Sequence, residues 1–255
     1  MGRFRRLTRR RAAAGSALVG EDRLGRRAVR ILAIETSLAP GSVALGDENG
    51  IELRLAPEAG RDFATWLTPA LVSALRAADD GEPPAGIAVA LGPGSFTGLR
   101  VGLAAAKGLC LARDLPLLGV PTADLIAQET PVHDTPLFVV VPFNPREVYL
   151  SRYRTESGAW RAEGAAELAP VAHFLGCLPA PAVVAGPLLP PHAGEISRVY
   201  GASVFVYDHL RPDSPALCRL ACEMLRRGET LPVPEAVPLY VSDATPVRRA
   251  RGEAI

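Results

Sequence analysis

Apolar and polar residues in the first third of the chain follow patterns typical of three strands and then a helix. Apolar runs at residues 30–35, 42–46 and 51–55 are separated by Pro-Gly and Asn-Gly pairs, which favour tight turns. From residue 61 to 78 the apolar positions recur with the i, i+3, i+4, i+7 spacing of an amphipathic helix, with a kink or a start near Pro69. We therefore expect a three-stranded meander followed by a helix.

The next stretch places a glycine-rich loop between a strand and a helix. Residues 87–91 are apolar, residues 92–97 read Gly-Pro-Gly-Ser-Phe-Thr, and residues 98–112 are mostly small or aliphatic. A further apolar run follows at 116–120. This order predicts a β-loop-α-β unit with parallel strands and a right-handed crossover.

Weaker patterns in the second half predict further short strands and one more helix. The expected strands are residues 137–141, 147–154, 182–185 and 203–207. Ser214 as N-cap, Pro215 at the first helical position and Gly228 after the last turn bracket the helix. Two groups of strands and helices predict an α/β protein with two lobes.

We divide the chain into five segments on this basis. They are a basic leader at 1–28, a first lobe at 29–127, a second lobe at 128–210, a helix at 211–230 that packs back on the first lobe, and a Pro-rich, basic tail at 231–255. We expect the leader to be disordered, or to lie upstream of a true translation start at Val29.

Charge is divided unequally along the chain. The first 30 residues hold ten Arg against Glu21 and Asp22, whereas the rest carries 18 basic and 25 acidic residues. An acidic body lacks the clustered Lys and Arg that phosphate contacts need, so we do not expect it to bind nucleic acid alone. No apolar run is long enough to cross a bilayer. The four cysteines have no CxxC spacing, which favours reduced thiols over a zinc site.

The glycine loop is the first candidate site, through Gly92, Gly94, Ser95, Thr97 and Arg100. A strand, a glycine loop and a helix N-terminus can together present backbone N–H groups to an anion. The loop lacks the Lys-Ser/Thr pair of a P-loop and the third glycine of a dinucleotide fingerprint. Its spacing fits a tight turn with helix capping equally well.

Small residues in the following helix call for a close contact. Gly98, Gly102 and Gly108 each cost about 1 kcal/mol relative to alanine inside a helix. The compensating contact is either with this chain's own sheet or with a helix of another chain. In the second case Phe63 and Trp66, from an exposed stripe on helix 61–78, would anchor the interface.

Candidate catalytic residues are few, and the sequence predicts neither a catalytic nor a metal site. His133, His173, His192 and His209 are far apart and form no i, i+4 pair, and no GxSxG motif is present. The segment 35–37, Glu-Thr-Ser, ends the first strand, where α/β proteins place ligands. An ordinary strand-end turn explains it better, because one carboxylate does not make an active site.

The combination of residues 31–37 (ILAIETS), 42–45 (SVAL) and 92–100 (GPGSFTGLR) resembles the TsaB (YeaZ) family. Residues 116–120 and 238–240 also fit the family. The resemblance implies an actin-like ATPase (ASKHA, ribonuclease H-like) fold with two lobes, the second of them divergent. It implies an accessory subunit, without a cofactor, that supports formation of threonylcarbamoyladenosine in tRNA in the cytoplasm.

Partners follow from the same resemblance. The family's catalytic partner is a TsaD-type subunit, and a TsaE-type ATPase joins the complex. We expect this chain to contact tRNA only as part of that complex. Alone, the same patch could form a homodimer. The helices at 61–78 and 98–112 correspond to the family's TsaD interface. The implied interface residues are Phe63, Trp66, Leu67, Ala70, Leu71, Ala74, Gly98, Gly102, Ala105 and Ala106. Gly102→Leu or Leu71→Asp is then expected to abolish the heterodimer without unfolding the monomer.

This chain also departs from the family pattern. Glu35 stands where Asp is usual, Phe63 where His is common, and residues 142–144 and Ser242 replace two further polar patterns. These positions suit nucleotide or charge recognition, so Glu35, Thr36 and Ser37 are expected to be at most a vestigial nucleotide site. The alternative function is an ASKHA-type ATP-binding enzyme, a small-molecule kinase or ATPase, that uses this triplet and the glycine loop.

Overall fold

The computed structural model describes residues 5–6, 29–58, 62–188 and 190–239. The predicted leader and the tail from residue 240 on lie outside the described residues, apart from a two-residue strand at Arg5–Arg6. The described chain forms two compact units. The first takes in the residues up to 91, 97–120 and 212–237, and the second takes in 92–96, 121–211 and the residues from 238 on.

A six-stranded sheet is the centre of the first unit. Its strands are β1 Arg5–Arg6, β2 Ile31–Glu35, β3 Ser42–Gly46, β4 Ile51–Ala56, β5 Gly86–Gly92 and β6 Leu117–Pro121, in the order β1-β4-β3-β2-β5-β6. The predicted meander is confirmed, because β2, β3 and β4 are antiparallel neighbours. β5 then pairs with β2 in parallel.

Helices cover both faces of this sheet. The helices of this unit are α1 Phe63–Asp79, α2 Phe96–Arg113 and α6 Ser214–Arg226. Side chains of α1 and α2 share one apolar core with Leu32 and Ile34 of β2. α6 packs against β2 and β3 but contributes nothing to that core, so it covers the opposite face.

The start of α6 differs from the prediction by one residue. Asp213, not Ser214, is the N-cap, with an extended φ of −142° and a side chain that accepts a hydrogen bond from the Ser214 N–H. Asp213 also accepts from the Ser42 hydroxyl at 2.6 Å and pairs with Arg54 at 3.0 Å. A carboxylate with these additional donors outcompetes the serine hydroxyl as a cap. Gly228 follows the last turn with φ +72°, as expected.

The second unit is built on another six-stranded sheet. Its strands are β7 Leu137–Asn144, β8 Glu147–Glu156, β9 Ala159–Ala162, β10 Glu167–Pro170, β11 Ala182–Ala185 and β12 Val204–Tyr207, in the order β10-β8-β7-β11-β12 with β9 beside β8. Its helices are α3 Thr122–Glu129, α4 Val171–Cys177 and α5 Pro190–Tyr200, with a 3-10 turn at Gly201–Ser203. The four predicted strands are present, whereas β9, β10 and the three helices were not predicted.

All four cysteines are free thiols; Cys110, Cys218 and Cys222 are buried, whereas Cys177 is exposed. Within the described ranges, no helix is both long and apolar enough to cross a membrane.

Candidate functional site

The strand-end triplet Glu35, Thr36 and Ser37 is fully buried, with 0 % exposure at each residue. One carboxyl oxygen of Glu35 accepts hydrogen bonds from the Ser37 N–H at 2.7 Å and from the Ser37 hydroxyl. The other oxygen has no partner among the residues that the structure describes. Burial raises the pKa of Glu35 to about 8, Ser37's hydrogen bonds lower it in part, and nearby Asp213 raises it further. The carboxyl group is therefore mostly protonated at neutral pH.

Helix α2 closes over this triplet. The Thr36 hydroxyl donates to the Gly98 carbonyl at 2.8 Å. A Cβ on Gly98 would lie 2.0 Å from the Thr36 carbonyl oxygen, and one on Gly102 would lie 2.1 Å from the Thr36 hydroxyl oxygen. The first of the two alternatives is thus observed for Gly98 and Gly102, which meet this chain's own strand end, whereas Gly108 is exposed and meets nothing within 4 Å. At the predicted nucleotide site, residues 35–37, no polar group is exposed to solvent.

The glycine loop joins β5 to α2 as a tight turn. Gly92 is buried with φ +107°, which is a backbone conformation that favours glycine, and Gly94 and Ser95 are half-buried. The helix begins at Phe96, earlier than expected, so Thr97 and Arg100 lie on its exposed first turns. The loop thus positions the N-terminus of α2 beside residues 35–37 at the end of β2.

The apolar stripe of α1 is buried in the first unit, so the prediction that it is exposed is wrong. Its side chains are at most 9 % exposed and form part of the first unit's core; they are Phe63, Trp66, Leu67, Ala70, Leu71 and Ala74. On α2, Ala106 is fully buried and Ala105 half-buried. The face that makes a helix amphipathic is the face that packs on its own sheet. Leu71→Asp and Gly102→Leu would therefore damage the fold itself, contrary to the expectation from sequence.

α1 and α2 lie side by side and turn other residues outward. Asp79 and Arg113, at their C-terminal ends, form an ion pair at 2.7 Å, and a Cβ on Gly98 would meet the Phe63 ring near their N-terminal ends. From their exposed residues we define the two-helix surface, which consists of Val72, Ser73 and Arg76 on α1 and Arg100, Ala104, Gly108 and Leu111 on α2. Leu111 is 75 % exposed and Val72 43 %.

These two apolar side chains were missed by sequence reasoning. A signal for Leu111 was available: the buried positions Leu103, Ala106 and Cys110 fix the inward phase of α2, and Leu111 falls outside it. A large apolar residue out of phase with the core stripe is a candidate for contact with another molecule.

The histidines are scattered, as the sequence predicts. His133 lies 3.0 Å from the Tyr207 hydroxyl and stacks on Phe205, and His173 lies near the Cys177 thiol within α4. Among the described residues, no group of three His, Cys, Asp or Glu side chains is arranged to hold a metal ion.

Comparison with known proteins places this fold. Residues 56–188, just over half of the chain, match the family described as "TsaD: tRNA N6-adenosine threonylcarbamoyltransferase". The chain is 29 % identical over 240 residues to the tRNA threonylcarbamoyladenosine biosynthesis protein TsaB of Escherichia coli, covering 88 % of this chain and 100 % of that protein. It is 31 % identical over 227 residues to an uncharacterized protein of Mycobacterium tuberculosis, covering 85 % and 94 % of the two chains.

A solved structure supports the same grouping. YeaZ from Pseudomonas aeruginosa superposes with a TM-score of 0.69 at 27 % identity, covering 83 % of this chain and 99 % of that one. The similarity spans both lobes and nearly the full length of the relatives. The chain therefore belongs to the TsaD-related family, as one of its TsaB/YeaZ proteins.

Proposed function

We propose that this protein is a non-catalytic subunit that pairs with a TsaD-type catalytic subunit in the formation of threonylcarbamoyladenosine in tRNA. Involvement in that pathway follows from its relatives, since the E. coli and Bacillus subtilis proteins are both named for it. As the resemblance implies, a TsaE-type ATPase would join the complex in the cytoplasm, and tRNA would be contacted through the complex.

The two-helix surface carries this proposal. It joins two neighbouring helices of the first unit, and it includes the exposed apolar side chains of Leu111 and Val72 and the small exposed residues Ala104 and Gly108. Small residues allow the backbone of a partner helix to approach closely, and the two aliphatic side chains supply anchors that lose exposure when covered. The family resemblance assigns the same two helices to the interface with the catalytic subunit. The face that we propose, however, is their exposed face and not the apolar stripe that packs on the sheet.

The closed strand end supports an accessory role over the ATP-binding alternative. A kinase or ATPase that used Glu35, Thr36 and Ser37 would have to admit a nucleotide to groups that are now fully buried. The carbonyl of Gly98 already uses the Thr36 hydroxyl. To open the site, α2 would have to move away from the end of β2. That movement would also break part of the apolar core that α2 shares with the sheet.

Leu111→Asp is expected to weaken the complex with the TsaD-type subunit at least tenfold while the monomer stays folded. The charge would be desolvated at the interface, whereas in the free protein Leu111 is already 75 % exposed. Affinity is measured by titrating the purified catalytic subunit, and folding by thermal unfolding of the variant alone.

Val199→Asp is the matched control. Val199 is 56 % exposed on α5 of the second unit and is not part of the two-helix surface, so it tests an equal change of charge at another exposed valine. It should leave the affinity unchanged. If Leu111→Asp and the wild-type protein bind the catalytic subunit with equal affinity, the two-helix surface is not the interface.

A further inference from the structure

The second unit contains a cavity of about 510 Å³ that the proposed function does not use. Its walls come from the glycine loop, the start of α3, β8, the β9–β10 connection and the last described residues. Most are apolar, among them Pro93, Pro121, Ala123, Pro238 and Leu239. The volume is in the range of pockets that enclose small organic molecules, which are typically apolar with a few fixed polar groups.

The described residues that line this cavity include one charged side chain. Asp124, in the first turn of α3, accepts a hydrogen bond from the Tyr153 hydroxyl at 2.6 Å. Tyr153 is 3 % exposed and fixes one carboxyl oxygen in position. Burial raises the pKa of Asp124, and the hydrogen bond from Tyr153 partly offsets this.

Asp124 has no basic partner in the part of the chain that the structure describes. Tyr153 supplies its only hydrogen bond there, and it forms no ion pair within 4 Å with a described Lys, Arg or His side chain. Asp124 is half-buried, and a carboxylate that is partly removed from water is stabilised by cations or by several donors. One neutral donor beside an open cavity leaves acceptor capacity for a ligand.

We propose that this cavity binds a compact organic cation, an amine, amidine or guanidine attached to an apolar body, with its N–H groups on Asp124. The proline, alanine and leucine side chains bury the apolar part, and the carboxylate with Tyr153 orients the charged end. Phosphorylated ligands are not favoured, because none of the described residues that line the cavity is Lys, Arg or His. This site does not depend on the role of the protein in tRNA modification.

Benzamidine is a suitable probe, because it joins an apolar ring to an amidinium that can bind a carboxylate through two N–H groups. The full chain is titrated with benzamidine and with neutral benzamide while its amide resonances are followed by NMR. Benzamidine is expected to bind about tenfold more tightly than benzamide, since hydrogen bonds to charged groups are the stronger ones. Equal affinity for the two, or no shift with benzamidine at 10 mM, would overturn the proposal.

Two variants check the placement. Asp124→Asn keeps the acceptor for Tyr153 and should remove the preference for benzamidine. Ala165→Leu fills an exposed position at the rim of the cavity and should block both compounds without lowering the melting temperature. If benzamidine still binds with unchanged affinity to both variants, its binding site lies outside this cavity and the proposal is wrong.

The basic tail is the competing occupant, since it continues from Leu239. Arg248, Arg249 and Arg251 are replaced together by alanine in the full chain. Unchanged benzamidine affinity supports a small-molecule site. A gain in affinity of tenfold or more would show that the tail occupies the cavity and would overturn the proposal.

Discussion

Gly98→Ala is expected to destabilise the protein by about 3 kcal/mol. The added Cβ would lie 2.0 Å from the carbonyl oxygen of Thr36 and 2.9 Å from the Phe63 ring. The first contact is with backbone, which cannot rotate away, so α2 must shift from β2. That shift strains the core and loses the hydrogen bond from Thr36 to Gly98. Chemical denaturation of both proteins measures the difference in unfolding free energy.

Gly108→Ala is the matched control within the same helix. A Cβ on Gly108 meets nothing within 4 Å, and the residue is exposed. Alanine should therefore stabilise the protein by about 0.5–1 kcal/mol, because glycine loses more backbone entropy in a helix. Destabilisation of similar size at both positions would mean that the contact with Thr36 does not set the position of α2.

Glu35→Gln is expected to remove a strong pH dependence of stability. With a native pKa of about 8 against 4.5 for the free side chain, native Glu35 holds a proton that the unfolded chain releases over this interval. The free energy of unfolding therefore falls as the pH rises from 4.5 to 8, by about 1.4 kcal/mol per unit and by at most about 5 kcal/mol in total. Glutamine stays neutral and keeps an oxygen for the two donors of Ser37.

The variant should match the wild-type protein near pH 4.5 and become progressively more stable up to pH 8. Glu58→Gln, at an exposed glutamate, is the control and should leave the pH profile unchanged. Unfolding free energies from urea titrations at half-unit pH steps give both curves. If the unfolding free energy of the wild-type protein changes with pH in parallel with that of Glu35→Gln, native Glu35 retains no extra proton. Glu35 would then be ionised in the native protein, which contradicts the prediction.

The first unit could be predicted from sequence because its elements have strong periodic signals. The turns at 39–41 and 47–50 define the meander, and seventeen residues of helical spacing define α1. α4 has only seven residues, and α5 opens with two prolines and has few apolar positions. Such short or polar helices form through packing on their sheet, which local pattern does not reveal.

The candidate site depended on contacts between distant residues. Thr36 and Gly98 are 62 positions apart, and nothing local shows that the helix glycines meet that strand end. The helical pattern identified the stripe with Trp66 and Leu71 correctly as one face, but did not show whether sheet or partner covers it. The sheet covers it, so the partner surface that we propose uses side chains out of phase with that stripe, Val72 and Leu111.

We propose that this chain supports threonylcarbamoyladenosine formation by pairing through the two-helix surface. The most direct test depletes the protein in its host and quantifies threonylcarbamoyladenosine in digested total tRNA by mass spectrometry. Depletion should lower the modification sharply, and the wild-type gene or Val199→Asp should restore it, whereas Leu111→Asp should not. An unchanged level of the modification after depletion would contradict the account.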